Sequence, residues 1–294
     1  MLRKFSNWIL RKILYCFDLC STICHILLKE SSLSKGQLLW IYLKLKCKEI
    51  VFFWLLRRPM TEECILGFHV RFQDYGLFLF LFEEIFVDED YGFHSQQPNP
   101  LIVDCGSNVG MSILYFKKRY PQARIIAFEA LKPIYDTLEK NMTVNHLEEV
   151  TLYNKAVSDK AGALKFYYDQ KQLGSAVEGF KGESGQPVQE MVVEAVRLSD
   201  YIKEGVDFLK MDIEGAEMAV LEDLAQHGKL GLIKEMILEY HHHINPEVDN
   251  MSSLLSLLEK NGFGYQIRAG KNFLMKRKIS QDLLVYAYQK ERIG

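Results

Sequence analysis

The sequence lacks the features that mark several large classes of protein. Its 294 residues carry a net charge of −2, without the basic excess of nucleic-acid-binding proteins, so no nucleic-acid partner is predicted. Its six cysteines form no Cys-x-x-Cys pair and no Cys/His zinc pattern, which argues against a metal or redox motif. No run of 18 uncharged apolar residues occurs, so no membrane-spanning helix is predicted. With 48% hydrophobic residues, the chain has the composition of a globular protein.

The charge that is present is unevenly distributed along the chain. Residues 1–66 carry a net charge of +6, whereas the remainder carries −8. Helically spaced apolar residues predict helices over 1–30 and 36–58, with Pro59 ending the second. A basic amphipathic helix either packs on the protein's own core or lies on a membrane surface. We therefore predict an N-terminal helical segment, residues 1–66, for which peripheral membrane contact through residues 1–58 is one alternative.

Five of the six cysteines lie in the same basic segment. Cys16, Cys20 and Cys24 are four residues apart and would share one face of a helix. We expect these thiols to pack as small hydrophobic groups, and acylation of a membrane-facing cysteine is the alternative. No signal-peptide cleavage site follows the start, so the expected location is cytoplasmic, with a peripheral membrane position as the second possibility.

Residues 101–294 alternate between strand and helix patterns. Buried strands are predicted at 101–104, 123–128, 150–154, 206–211 and 233–240, with helices at 109–119, 133–145, 216–226 and 250–261. Further strands are predicted at 163–168 and 188–196, joined by a Gly/Ser-rich loop from Gly174 to Gly185, and closing strands at 263–268 and 283–288. Such alternation predicts an α/β fold with a largely parallel sheet, helices on both faces, and one antiparallel closing strand.

The first strand of this series runs into a small-residue turn that opens a helix. Asp104 ends the strand, where its carboxylate can hold the loop or attract a cationic ligand. Gly106 and Gly110 let the backbone approach a ligand closely, and Asn108 can cap the helix. An acid at the end of the next strand, Glu129, can accept both hydroxyls of a ribose. Together these residues predict a nucleoside-binding loop.

The same loop departs from the dinucleotide-binding pattern Gly-x-Gly-x-x-Gly. Aligned on Gly106, the chain has Asn108 and Met111 in place of the second and third glycines. The second glycine is the one that admits a pyrophosphate, so a nicotinamide-dependent oxidoreductase is the disfavoured alternative. A smaller nucleoside that carries a positive charge, such as S-adenosylmethionine, fits the loop better.

Two further acidic clusters follow later strands. Asp212, Glu214 and Glu217 come after the strand that ends at Met211, and we interpret Glu217 as a first-turn acid favoured by the helix dipole. Glu239 and His241 end the next strand, and His241 is our candidate for a general base that titrates near neutral pH.

In combination, these motifs resemble those of the FkbM family of class I S-adenosylmethionine-dependent methyltransferases. The resemblance covers about residues 67–294 and is specific because it rests on several motifs at once. They are Val103-Asp104-x-Gly106-x-Asn108-x-Gly110, Phe128-Glu129, Asn154-x-Ala156-Val157-Ser158, Leu209-Lys210-x-Asp212-x-Glu214-Gly215-Ala216-Glu217, and Glu84-Ile85-Phe86-x-x-x-x-Tyr91.

The resemblance implies a Rossmann-like seven-stranded methyltransferase sheet with its last strand antiparallel, in a domain spanning residues 67–294. It also implies O-methylation of a hydroxyl on a small molecule, sugar, glycan or natural product, with S-adenosylmethionine as cofactor. By position, Glu129 would bind the ribose, Ala156 and Val157 would lie near the adenine, and Asp212 and Glu214 would lie where donor and acceptor meet. The remaining cofactor residues would be Asp104, Gly106, Ser107, Asn108 and Gly110.

A hydroxyl acceptor benefits from a base that takes its proton as the new bond forms. His241, Asp212 and Glu239 are the candidates for that role. The same residues could instead hold a divalent metal, which we rank second, so no metal site is predicted. The Gly174 to Gly185 loop is expected to close over the acceptor as a lid. The last alternative is a non-catalytic, membrane-associated scaffold that keeps the fold, and the intact acidic clusters argue against it.

Overall fold

The computed structural model describes residues 2–56, 58–168, 189–242, 250–269 and 281–292. The chain divides into two compact units. The first unit comprises Met1–Val70 with Asp74–Asp90, and the second comprises Arg71–Gln73 with Tyr91–Gly294. The predicted lid, from Gly174 to Gly185, lies outside the described residues. The predicted domain boundary at residue 66 stays a prediction.

The first unit is mainly helical. Its elements are α1 (Leu2–Leu28), α2 (Lys35–Lys48) with a π-helical continuation (Glu49–Leu55), the strand pair β1 (Glu62–Ile65) and β2 (Phe68–Arg71), and α3 (Tyr75–Phe82) with a π-helical turn (Glu83–Val87). Asp74 caps α3 by accepting a hydrogen bond from the Leu77 N–H at 2.7 Å. The buried Glu63 carboxylate accepts hydrogen bonds from Lys44 at 2.9 Å and from Lys48 at 2.6 Å. The two predicted N-terminal helices are thus present.

The cysteines of this unit lie on its surface. Cys16, Cys20, Cys24, Cys47 and Cys64 are all exposed, and the expectation that the three α1 thiols pack as small hydrophobic groups is wrong. A helix can expose one face entirely, and sequence spacing alone does not tell which face that is. Among the described residues, no helix is long and apolar enough to cross a membrane. Peripheral membrane contact through residues 1–58 stays a prediction.

The second unit is built on a seven-stranded sheet. Its strands are β3 (Leu101–Cys105), β4 (Arg124–Phe128), β5 (Val150–Tyr153), β9 (Val206–Met211), β10 (Ile233–His242), β11 (Phe263–Ala269) and β12 (Gln281–Gln289). The helices between them are α4 (Met111–Arg119), α5 (Lys132–Val144), α6 (Glu217–Gln226) and α7 (Met251–Lys260). The strand order is β11-β12-β10-β9-β3-β4-β5, and β12 is antiparallel to both of its neighbours. The predicted seven-stranded α/β sheet with an antiparallel last strand is confirmed.

The strand order places a topological switch between β3 and β9. The chain leaves β3 for β4 on one side, while β9 pairs in parallel with β3 on the other. In open α/β sheets, the crevice at the carboxyl ends beside such a switch is where ligands bind. The register aligns Cys105 with both Phe128 and Met211, so the three strands end level with one another.

The predicted strands at 163–168 and 188–196 form a small separate sheet. They correspond to β7 (Gly162–Tyr168) and β8 (Gln189–Arg197), and β8 also pairs in parallel with β6 (Ala156–Ser158). The order of this sheet is β6-β8-β7. Val157 and Val196 from this sheet belong to the same buried hydrophobic cluster as Leu209 and Met211 of β9, which keeps the small sheet against the larger one.

The strands nearest the switch are apolar because both of their faces are covered. All five residues of β3 are buried, and Phe208, Leu209 and Met211 of β9 are fully buried as well. Complete burial of such a side chain contributes on the order of 1.5–3 kcal/mol. The one charged residue inside the apolar run of β9 is Lys210, which is also buried.

Asn141 connects the end of β2 and the loop before α4 to helix α5. Its side chain is fully buried. It accepts a hydrogen bond from the Arg71 N–H at 2.8 Å and donates to the carbonyl oxygens of Arg71 at 2.9 Å and Val109 at 2.8 Å. A single buried amide thus holds the end of β2 and the segment before α4, which are far apart in the sequence.

We expect Asn141→Ala to lower the free energy of unfolding by about 2–4 kcal/mol, because three interior hydrogen bonds are lost. Urea denaturation followed by circular dichroism measures this change. The control is Lys140→Ala, an exposed position on the same helix, which should change stability by less than about 0.5 kcal/mol. Equal stabilities of the two variants would contradict the role given to Asn141.

Candidate active site

Gly106 allows the loop after β3 to approach the end of β9. Its φ is +82°, and a Cβ added there would lie 1.8 Å from the Asp212 carbonyl oxygen. The N–H groups of Gly106 and Ser107 both donate to the Phe128 carbonyl oxygen, at 3.0 and 2.9 Å. The loop is therefore fixed between β4 and β9, and any side chain at position 106 would push β9 away.

Gly110 serves packing within the fold. Its φ is +93°, and an added Cβ would lie 2.7 Å from the side chains of Leu138 and Met142 on α5. The prediction from sequence was that this glycine lets the backbone approach a ligand. The structure instead places the close approach between the start of α4 and helix α5.

Glu129 lies at the end of β4, as predicted. One carboxylate oxygen accepts from the Asn108 N–H at 3.0 Å and the other accepts from the Leu131 N–H at 2.8 Å. Asn154 donates to the Glu129 carbonyl oxygen at 2.9 Å, which fixes the backbone there. Burial raises the pKa of Glu129 to about 7, and it outweighs the two N–H donors and Lys210, which act in the opposite direction.

A buried ammonium group connects the β3 loop with the end of β9. Lys210 Nζ donates to the Gly106 carbonyl oxygen at 2.6 Å and lies 3.3 Å from Asp212 Oδ2 and 3.7 Å from Asp104 Oδ1. It also lies 5.4 Å from the centre of the Tyr91 ring. Burial lowers the pKa of Lys210, but Asp212, Asp104 and Glu239 together raise it above its ordinary value. Lys210 is therefore a permanent cation.

Asp104 lies beneath the loop. Its side chain is fully buried, and Oδ2 accepts from the Ser112 hydroxyl at 2.5 Å. The hydroxyl of Ser107, also buried, donates to the Asp104 carbonyl oxygen at 3.1 Å. The predicted direct contact of Asp104 and Ser107 with a cofactor stays a prediction. In the structure, both residues help to shape the loop.

The loop, Glu129 and the end of β9 surround a cleft. Its lining includes three carboxylates, those of Glu129, Asp212 and Glu214, together with apolar side chains. The lining residues are Gly106, Asn108, Phe128, Glu129, Ala130, Leu131, Ile134, Lys155, Ala156, Val157, Asp212, Ile213 and Glu214. Seven of the ten predicted cofactor residues line this cleft, and Asp104, Ser107 and Gly110 are the three that do not.

Next to the cleft, a histidine lies between two carboxylates. His241 Nδ1 is 3.0 Å from Glu217 Oε1, and Nε2 is 3.3 Å from Glu214 Oε2. Glu217 is buried, and the same oxygen accepts from the Gly215 N–H at 3.0 Å. Glu217 lies in the first turn of α6, as the sequence predicts, and it also orients His241.

The predicted catalytic candidates differ in their surroundings. Burial lowers the pKa of His241, but Glu217, Glu214 and Asp212 outweigh it and raise the pKa to about 10. At pH 7 such an imidazole is a protonated partner of the carboxylates. Asp212 lines the cleft, whereas Glu239 is electrostatically coupled to Lys210. The assignment of the general base among these three residues stays a prediction.

Sequence reasoning gave no role to Lys210 and missed the contact of Glu217 with His241. A signal for the first was present, because a lysine interrupts the apolar run Phe208-Leu209-Lys210-Met211 and a buried charge needs a partner. For Glu217 no comparable signal exists, because acids are common in the first turn of exposed helices as well.

Comparison with known proteins identifies the family. The model of the methyltransferase FkbM domain matches residues 104–265. The chain belongs to the FkbM methyltransferase family. The family resemblance seen in the motifs is thereby confirmed, and the motif loop, Glu129, Asp212, Glu214 and His241 all lie inside the matched region.

Several curated methyltransferases are similar to this FkbM-family chain. Methyltransferase sdnD of Sordaria araneosa is 31% identical, over 63% of this chain and 81% of its own length. The 31-O-demethyl-FK506 methyltransferase FkbM of Streptomyces tacrolimicus is 28% identical, over 63% and 81%. The 2-O-methyltransferase NoeI of Sinorhizobium fredii is 26% identical, over 43% and 58%.

We expect Lys210→Met to lower the free energy of unfolding by about 3–5 kcal/mol, because it leaves the carboxylates of Asp104 and Asp212 without their buried cation. Chemical denaturation measures the loss. Lys203→Met, at an exposed position before β9, is the matched control and should lie within about 0.5 kcal/mol of the native chain. A Lys210→Met variant as stable as this control would show that the ammonium is dispensable.

Proposed function

We propose that this protein is an S-adenosylmethionine-dependent O-methyltransferase that acts on a hydroxyl of a sugar, glycan or small natural product. The observation that carries the proposal is the cleft at the switch between β3 and β9. It combines a buried carboxylate at the end of β4, two carboxylates at the end of β9 and an apolar surface. Few cofactors need all three kinds of surface within one cleft.

The residues of the cleft fit the parts of S-adenosylmethionine. Glu129 is a carboxylate whose two oxygens can accept hydrogen bonds from the two ribose hydroxyls. Ile134 and Val157 provide apolar surface for a flat purine. Asp212 and Glu214 give the opposite end the negative charge that suits a sulfonium group and an ammonium group.

When bound, S-adenosylmethionine supplies an electrophilic methyl group: the acceptor oxygen forms a C–O bond, the C–S bond breaks with its electron pair staying on sulfur, and the hydroxyl proton is released. The protein's part is to align the two reactants and to exclude water. Gly106 and Lys210 hold the loop and the β9 carboxylates in fixed relative positions. Asp212 already lines the cleft, so it is the candidate that can accept the released proton without a change of side-chain position.

An oxygen acceptor is favoured over other acceptors by the relatives. Two of them are named for transfer to oxygen, at a 31-O position and at a 2-O position. For this protein, the hydroxyl class of the acceptor is part of the proposal.

Titration calorimetry tests the cofactor assignment. We expect the full chain to bind S-adenosylmethionine and S-adenosylhomocysteine and not NADH, because the loop lacks the glycine that admits a pyrophosphate. Radiolabelled methyl transfer to a panel of sugars, glycans and phenols then identifies the acceptor. Binding of NADH without binding of S-adenosylmethionine would overturn the proposal in favour of an oxidoreductase.

The affinity for S-adenosylmethionine should rise with pH. Glu129 has a pKa of about 7 and accepts ribose hydroxyls best when ionised, so binding at pH 8 should be up to about tenfold tighter than at pH 6. Lys210 and Asp212 are the other charged groups that act on Glu129, with opposite effects. Calorimetry across this range measures the trend. Glu129→Gln should bind more weakly and lose the slope, and an unchanged slope in that variant would assign the titration to another group.

A further inference from the structure

Asp212, Glu214 and His241 form a compact set of possible metal ligands. Each offers one ligand atom, and all three atoms lie within 4.8 Å of one another. The separation of His241 Nε2 and Glu214 Oε2 is 3.3 Å. Adjacent ligands of an octahedral ion with bonds of about 2.1 Å are roughly 3 Å apart, so the His241–Glu214 pair is already close to the spacing needed to share a cation.

A separate observation shows that His241 is held in a fixed orientation. Its Nδ1 contacts Glu217 Oε1 at 3.0 Å, and that carboxylate is only 1% exposed. Glu217 is held in turn by the N–H groups of Gly215 at 3.0 Å and Ile213 at 3.3 Å. A buried carboxylate on one nitrogen of a histidine is the usual support for a histidine whose other nitrogen binds a metal. Nε2 is the nitrogen that faces Glu214.

We propose that Asp212, Glu214 and His241 bind one divalent cation of the Mg²⁺ or Mn²⁺ class at the acceptor side of the cleft. Two carboxylates and one imidazole, without a thiolate, suit such hard or intermediate ions. Binding displaces the proton of His241 Nε2, which is released to solvent. Asp212 and Glu214 line the cleft, so the remaining coordination positions face the space where an acceptor would lie. Metal binding stands on these residues alone, whereas a role in activating the acceptor hydroxyl rests on the proposed function.

The substrate class follows from this position. With the cation bound, Asp212 is a ligand and no longer the proton acceptor named above. The cation would place positive charge beside the acceptor oxygen and favour loss of its proton to solvent as the methyl group arrives. An acceptor with two neighbouring oxygens, such as a vicinal diol of a sugar, would occupy two coordination positions. The site therefore favours polyhydroxylated acceptors over isolated alcohols.

Electron paramagnetic resonance of added Mn²⁺ tests the binding step without any cofactor or acceptor. The full chain, first treated with a chelator and then freed of it, should bind one Mn²⁺ per chain. Asp212→Asn, Glu214→Gln and His241→Asn should each weaken binding at least tenfold. Glu217→Gln should weaken it by about 10–100-fold through the orientation of His241. Glu222→Gln, an exposed acid on α6, should bind as the native chain does.

The inference is overturned if the native chain binds no Mn²⁺ at millimolar concentration, or if Glu214→Gln binds as tightly as Glu222→Gln. Circular dichroism melting of each variant checks its folding, and the partly exposed Glu214 provides a variant with little risk of unfolding. Calorimetry with S-adenosylmethionine on the same samples keeps the two proposals apart. Cofactor binding without Mn²⁺ binding removes only the metal site, whereas loss of both in the native chain removes the proposed function as well.

Discussion

The buried ammonium of Lys210 is the interaction on which the rest of the site depends. Removing an ammonium group from water costs several kcal/mol, and only nearby carboxylates and carbonyl oxygens offset that cost. Here Asp104, Asp212 and the Gly106 carbonyl oxygen surround it. Because these groups belong to β3, its loop and the end of β9, one cation fixes the two sides of the switch point relative to each other. The cleft lies where Lys210 holds the ends of β3 and β9 together.

The acidic residues around the cleft divide into two groups with different roles. Asp104 and Glu217 are buried and serve other residues, the first through Ser112 and Lys210 and the second through His241. Glu129, Asp212 and Glu214 line the cleft and are the ones that can meet a ligand. Charged groups that are held in place by such contacts make a preorganised site, which loses little conformational entropy when a ligand binds. This division explains why so many carboxylates are compatible with a stable fold.

The sequence predicted the parts of the site that follow from local pattern. The apolar run of β3, the acid at the end of β4 and the acids after β9 were all assigned correctly to strand ends, because a buried parallel strand is apolar along its whole length. Gly110 was given a ligand-side role that its contacts with Leu138 and Met142 do not support. Glu217 is a first-turn acid as predicted, but its contact with His241 was not predicted. Both contacts were missed for one reason: burial and contacts at these positions come from elements distant in sequence.

By itself, the sequence determined the seven-stranded α/β architecture, the family and the strand ends at which ligands bind. Those properties depend on hydrophobic periodicity and on short motifs, which act over a few residues at a time. Only the tertiary structure decided which carboxylates line the cleft and which support it. That outcome depends on strand register, which pairs Asp104 with Lys210, and on the packing of α6, which brings Glu217 to His241. Such pairs are far apart in the chain, and their charges meet only after the sheet has assembled.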